Sequence, residues 1–177
     1  PTGNATGGDG GGIWNNDVLV VKEGATVNDN DAIAGYNPAT AIPGNVVGGY
    51  GGGIYNANNG TVTTYGATDV DISGNRAQYS GGGISLSSDD ETSGEASLDN
   101  LYMKDNIAGF NFFGAGDSNV AAWGGNGGGI FDENYNLADR VNFGLVNFSG
   151  AGNVANDGTL GGAPNSGVGD NYFPLGE

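Results

Sequence analysis

Apolar and polar residues alternate along this chain in short runs, and nowhere do they form the i, i+3, i+4 stripe of an amphipathic helix. Val70-Asp71-Ile72-Ser73 is one such run, with the period of two that marks a strand covered on one side. Similar segments at Asp17–Val21, Thr61–Tyr65, Ala96–Leu101 and Arg140–Val146 predict further strands. Turn signals punctuate them at Asn58-Asn59-Gly60, Ser88-Asp89-Asp90 and Asp132-Glu133-Asn134. The pattern predicts an all-β chain whose units read strand, turn, strand, turn, strand.

Two motifs alternate through the chain. Gly-Gly-Gly-Ile occurs at Gly10–Ile13, Gly51–Ile54, Gly81–Ile84 and Gly127–Ile130. An Asn motif, apolar-x-(Gly/Asp)-Asn-x-Ala, runs from Val27 to Ala32, Ile72 to Ala77 and Met103 to Ala108; a fourth copy, Phe148 to Ala155, carries two extra residues. From each Ile to the following Asn the gaps are 17, 21, 22 and 23 residues. Four alternating pairs define repeat units at about 7–47, 48–78, 79–123 and 124–160, with a C-terminal extension at 161–177, all in one domain spanning 1–177.

Three short strands per unit of this size fit one coil of a parallel β-helix, in which each strand pairs with its equivalents at ~4.8 Å above and below. The expected fold is therefore a right-handed parallel β-helix (solenoid) of four to five coils. Asn30, Asn75, Asn106 and Asn153 would stack at one corner, bridge coils through their amides and adopt the left-handed backbone that a corner needs. Ile13, Ile54, Ile84 and Ile130 would form an inward apolar stack. Gly-Gly-Gly-Ile followed by Ile72-Ser73-Gly74-Asn75-Arg76-Ala77 resembles the repeats of secreted right-handed β-helix proteins of the polymorphic outer membrane protein and autotransporter-passenger type. The resemblance covers roughly residues 7–163. It implies an extracellular protein from a group of adhesins, surface or structural proteins and polysaccharide-active enzymes.

Composition narrows these choices. Gly supplies 38 of 177 residues and Pro only 5, which excludes collagen and points to repeated tight turns and close backbone packing. With 20 acidic and 4 basic residues the net charge is −16, so the chain is poorly equipped to neutralise phosphates or to sit on an anionic membrane. It has no Cys and no His, which removes disulfides, thiol and imidazole chemistry and zinc sites. No apolar run reaches the ~18 residues of a membrane span. Asn4, Asn59 and Asn147 head N-glycosylation sequons.

The connection from the Asn-motif Ala to the next Ile is 22 residues after Ala32, 7 after Ala77 and 22 after Ala108. Two lateral insertions, 33–47 and 109–123, are thus expected to leave the same corner of alternate coils. Their aromatic residues Tyr36, Phe110, Phe112, Phe113 and Trp123, with Tyr172 and Phe173 near the C-terminus, are candidate interaction residues. Asp29, Asp31, Asp89, Asp90 and Glu91 offer hard oxygen ligands that suit a structural Ca²⁺, although neither an EF-hand nor the nonapeptide calcium repeat is present; no other cofactor is expected. The expected partner is a second copy stacked head to tail, since open coil ends expose unpaired strand edges. Three functions fit: a self-assembling structural subunit outside the cell, an adhesive or glycan-binding surface module, or a polysaccharide lyase or hydrolase. Without His, and with Asp89-Asp90 in a polar turn, catalysis is not expected.

Overall fold

The computed structural model describes residues 5–6, 8–33, 46–47, 49–57, 60–87, 95–109, 127–132, 141–143, 146–147, 152–155 and 172–174. Among them there is no helix, and every pairing of two strands is parallel.

The repeat of the sequence becomes the order of the sheets. The first sheet collects Ile13–Asn15, Ile54–Asn56, Ile84–Leu86, Ile130–Asp132 and Tyr172–Pro174, one strand from each unit and one from the C-terminal extension. The second collects Val18–Lys22, Thr61–Tyr65, Glu95–Leu98 and Val141–Phe143. Val70–Ser73, Leu101–Lys104 and Val146–Asn147 make the third, which Thr26 joins by a single bridge to Asp71. The fourth holds Asp31–Ala32, Arg76–Ala77, Ile107–Ala108 and Val154–Ala155. A separate pair, Ala5–Thr6 with Val46–Val47, lies ahead of the glycines of the first two units. Chain neighbours therefore lie in different sheets, and sheet neighbours are one unit apart.

Each unit thus contributes four strand positions rather than the three expected. The expected strand Ala96–Leu101 is divided at a corner: Glu95–Leu98 ends, Asn100 takes a φ of 47°, and Leu101–Lys104 begins in another sheet. The buried Thr64 hydroxyl of the preceding unit donates to the Asp99 carbonyl and accepts the Asp99 N–H, both at 2.9 Å. Arg140–Val146 likewise gives Val141–Phe143 and Val146–Asn147. Period-two alternation continues across a tight corner, so it could not mark the break.

Register aligns like with like. Ile13, Ile54, Ile84 and Ile130 are direct neighbours, and the last three are fully buried. Val70 and Ile72 pair with Leu101 and Met103, all with no exposed surface, while Asp71 and Ser73 lie partly exposed between them. These side chains form one apolar cluster with Val62, Leu86 and Leu98. Burial of each large aliphatic side chain is worth about 1.5–3 kcal/mol.

Candidate functional site

Two features are candidates for function: the corner where the units are tied together, and the first unit, where that tying begins.

At the corner the four repeated Asn residues form a directional ladder. Asn30 Nδ2 donates to Asn75 Oδ1 at 3.0 Å, Asn75 Nδ2 to Asn106 Oδ1 at 3.0 Å, and Asn106 Nδ2 to Asn153 Oδ1 at 2.9 Å. The backbone N–H of each donor residue reaches the same oxygen at 3.0–3.1 Å. The remaining amide hydrogens go back one unit: Asn75 donates to the Val27 carbonyl, Asn106 to Ile72 and Asn153 to Met103, at 2.7, 2.8 and 3.2 Å. A buried primary amide is satisfied in this way at both ends. Asn30 Nδ2 donates instead to its own Asn28 carbonyl at 3.0 Å, and among the described residues its Oδ1 accepts no hydrogen bond.

The left-handed backbone of this corner does not fall on the Asn, as the sequence suggested, but on the residue before it. Asp29, Gly74 and Asp105 have φ of 58°, 69° and 56°. Asp and Gly therefore alternate along the stack, as Asp29, Gly74, Asp105 and Gly152. The cause is steric and electrostatic. A Cβ on Gly74 would come within 2.3 Å of Asp29 Oδ1, and one on Gly152 within 1.9 Å of Asp105 Oδ1. Acids in every unit would also bring like charges to one strand spacing of each other.

The two sequence motifs meet here. The third glycine of the first three triplets faces the Asn of its own unit: a Cβ on Gly12 would lie 2.9 Å from the Asn30 amide, one on Gly53 3.0 Å from the Asn75 amide and one on Gly83 3.2 Å from the Asn106 amide. The second glycine abuts the next unit, where a Cβ would lie 2.5, 2.3 and 2.4 Å from the carbonyl oxygens of Gly52, Gly82 and Gly128. The first, at Gly10, Gly51, Gly81 and Gly127, has φ between 63° and 70°, which L-residues with side chains resist.

A second, shorter amide tie was missed in the sequence. Asn15 Nδ2 donates to Asn56 Oδ1 at 2.6 Å, and Asn56 Nδ2 to the Gly60 carbonyl at 2.8 Å. Its signal was the shared register one residue past the aromatic position, but Leu86 and Asp132 continue the row without an amide.

Of the candidate calcium ligands, Asp31 is gripped by Arg76: Nε and Nη2 each donate to one carboxylate oxygen at 2.6 Å. That hydrogen bond, opposed by some desolvation, raises the Arg76 pKa further above its ordinary value. Asp29 lies over Gly74, while Asp89, Asp90 and Glu91 fall outside the described residues. Among the described residues no three acidic side chains gather as a metal site would require.

Of the candidate interaction residues, Tyr36, Phe110, Phe112, Phe113 and Trp123 lie outside the described residues, as does most of insertions 33–47 and 109–123. Tyr172 and Phe173 continue the first sheet, opposite Ile130 and Phe131. Of the sequon residues, Asn147 pairs with Tyr102, and Asn4 and Asn59 are outside the described residues. A row of Trp14, Tyr55, Ser85, Phe131 and Phe173 runs along the first sheet. The Tyr50 ring lies 6.5 Å from both Tyr55 and Phe131 and stacks on Tyr79 at 5.2 Å. Burial there pushes the Tyr79 phenol up.

No family model matches the chain, and no curated protein or solved structure does. Its function must be argued from this geometry alone.

The first unit differs from the rest. Trp14 is 57% exposed and Val18 67%, and Val20 and Ile33 are exposed too. At the registers of Val18 and Val20 the second unit has Thr61 and Thr63. Among the described residues Val18–Lys22 is the last strand of its sheet on that side. The Thr61 N–H donates to the Asp17 carbonyl at 2.7 Å. In the parallel pattern the N–H groups of Leu19 and Val21 then turn toward Thr61–Tyr65, and those of Val18, Val20 and Lys22 toward the open edge. Asp9 ties the start of this unit to the second by accepting the Tyr50 N–H at 3.1 Å, and burial raises its pKa above the ordinary 3.8. Among the described residues no helix is long and apolar enough to cross a membrane.

Proposed function

We propose that this chain is an extracellular structural protein, a right-handed parallel β-helix of four to five coils with lateral insertions, whose subunits assemble axially into a filament or layer. The closed-coil reading draws support from two facts. Each sheet advances by one strand per unit, and the triplet that opens a unit touches the Asn that ends it. The observation that carries assembly is the Val18–Lys22 edge: five residues long, with outward-turned N–H groups and exposed valines. Such edges pair with another chain unless they are blunted. Lys22 is the one charged residue on the strand, and it lies 6.0 Å from the Tyr65 ring centroid, which draws it sideways.

Electron microscopy and sedimentation of the pure protein across a concentration series, with calcium and with chelator, test this. Ordered fibres with a ~4.8 Å axial repeat are expected. Monodisperse monomers under every condition would refute assembly. The alternative, a glycan-binding surface module, is favoured by the exposed rings of Trp14 and Tyr65 and predicts glycan binding by the monomer, lost on Trp14→Ala.

A further inference from the structure

Ser85 is 1% exposed, and among the described residues its Oγ has no hydrogen-bond partner. Buried hydroxyls are nearly always partnered, so this one needs a reason. Its chain neighbours Ile84 and Leu86 belong to the apolar cluster, and strand alternation therefore turns Ser85 to the outer face of the first sheet. There it stands between Tyr55 and Phe131, in the row that also holds Trp14. A small hydroxyl residue leaves a gap in a row of rings. The Tyr50 ring, 6.5 Å from both Tyr55 and Phe131, spans that gap, and Tyr79 stacks on it. Tyr50 and Tyr55 are partly exposed and Trp14 is exposed, so the row opens to solvent on the Trp14 side.

On the glycan-binding reading above, we infer that this outer face takes an uncharged glycan, which lies along the row with its sugar faces on Trp14 and Tyr55 and a hydroxyl bonded to Ser85 Oγ. The face runs along the side of the stack, so the site does not depend on axial assembly. Three observations choose the ligand. Trp14 and Tyr55 are in direct register, ~4.8 Å apart, which is close to the length of one sugar unit in an extended chain, so successive units can stack on successive rings. Beyond them the Ser85 hydroxyl can donate to a sugar hydroxyl or accept from one, and aromatic walls around a few placed polar groups are the usual form of such a site. Finally, no described cation serves this face. Lys22 lies by the Tyr65 ring of the second sheet, Arg76 is bonded to Asp31 and Lys104 is paired with Asp105. A carboxylated or sulfated glycan therefore meets no counter-charge there, on a chain of net charge −16. A cationic ligand would need ring faces that converge on it, whereas Tyr50 and Tyr79 lie within 11° of parallel and cover each other. The Tyr50 ring turns aside to admit the sugar to Ser85, and its neighbours Gly49 and Gly51 have no side chains to hold it in place.

Titration calorimetry of the whole chain with cellohexaose, chitohexaose, xylohexaose and mannohexaose, and with hexagalacturonate as the charged counterpart, tests the site. At least one of the uncharged oligosaccharides is expected to bind, and hexagalacturonate is not. Ser85→Ala separates a hydroxyl kept for a ligand from one kept for the fold. It is expected to leave the melting temperature unchanged or raised, because no protein partner is lost, while affinity for the oligosaccharide falls about tenfold. A lowered melting temperature would show that the protein itself uses the hydroxyl, and would overturn the site. Wild-type affinity in Ser85→Ala, with binding lost in Trp14→Ala, would also overturn it but leave the glycan-binding reading in place. Equal binding of hexagalacturonate would overturn the uncharged class. Absence of binding by all four uncharged oligosaccharides would overturn both the site and the reading on which it rests.

Discussion

The first and third units carry the same motifs in the same register, yet they live in different surroundings. Ile13 is partly buried and Ile84 fully; Trp14 is exposed while Ser85, at the same register, is 1% exposed; among the described residues nothing donates to Asn30 Oδ1, while Asn106 uses every hydrogen-bonding group of its amide. Sequence motifs alone do not set this difference. It comes from having a neighbour on one side or on both. In a stack of parallel strands an interior unit is completed by the units on either side, and a unit with one described neighbour is completed on one side.

The comparison breaks most visibly at the ladder. Asn106→Ala removes the acceptor of the Asn75 N–H and of one Asn75 Nδ2 hydrogen inside the protein, together with the side-chain donors to the Ile72 carbonyl and Asn153 Oδ1, and is expected to cost about 4 kcal/mol in urea unfolding. Asn30→Ala, at the open end, should cost about 1 kcal/mol. Equal losses would mean that the first unit is covered as fully as the third. Next in size, Ile84→Ala should cost about 2–5 kcal/mol, and Ile13→Ala roughly half of that, because its site is already partly solvated. Glycines give a smaller contrast. Gly82→Ala forces a Cβ to 2.4 Å from the Gly128 carbonyl oxygen and should cost about 2–3 kcal/mol. Gly8→Ala, with nothing within 4 Å, should stay within about 0.5 kcal/mol.

Asp9→Asn is the finest probe. Burial raises the Asp9 pKa in the folded protein, so its charged form is disfavoured there. Below its ordinary value of 3.8 the carboxyl is protonated in folded and unfolded chains alike and has no effect; as pH rises through that value and past the folded pKa, a penalty on folding grows to its full size. The Asn side chain keeps an acceptor for the Tyr50 N–H and carries no charge. Its melting temperature should therefore exceed that of the wild type at pH 7 and match it near pH 3. A lower melting temperature at pH 7 would show that the charge itself holds the first unit to the second.

Much of the architecture was legible in the sequence because repetition is legible. The Ile row, the Asn ladder and the parallel strands all follow from residues that return at one place in each unit. Corners were harder. The break between Leu98 and Leu101 is set by Asn100 and by the Thr64 hydroxyl of another unit, and no local pattern announces either. Tolerance of the left-handed backbone points to Asn30 and its equivalents in the sequence, whereas in the structure the Asn forms the ladder and the chain bends at Asp29, Gly74 and Asp105. The Asn15–Asn56 tie escaped notice because two units do not make a pattern. Unpaired strand edges at the coil ends follow from the repeat, but no motif announces that Val18 and Val20 on the first of those strands are exposed.

The alternation of Asp29, Gly74, Asp105 and Gly152 has a consequence for how such a chain can change in length. Its smallest interchangeable module is two units, not one, and the insertions that follow the first and third Asn motifs keep the same beat. A gene that gained or lost a single interior unit would set acid against acid or leave two glycines adjacent at a corner. An interior gain or loss in pairs would keep the alternation. Natural variants that differ inside the stack should therefore differ by even numbers of units.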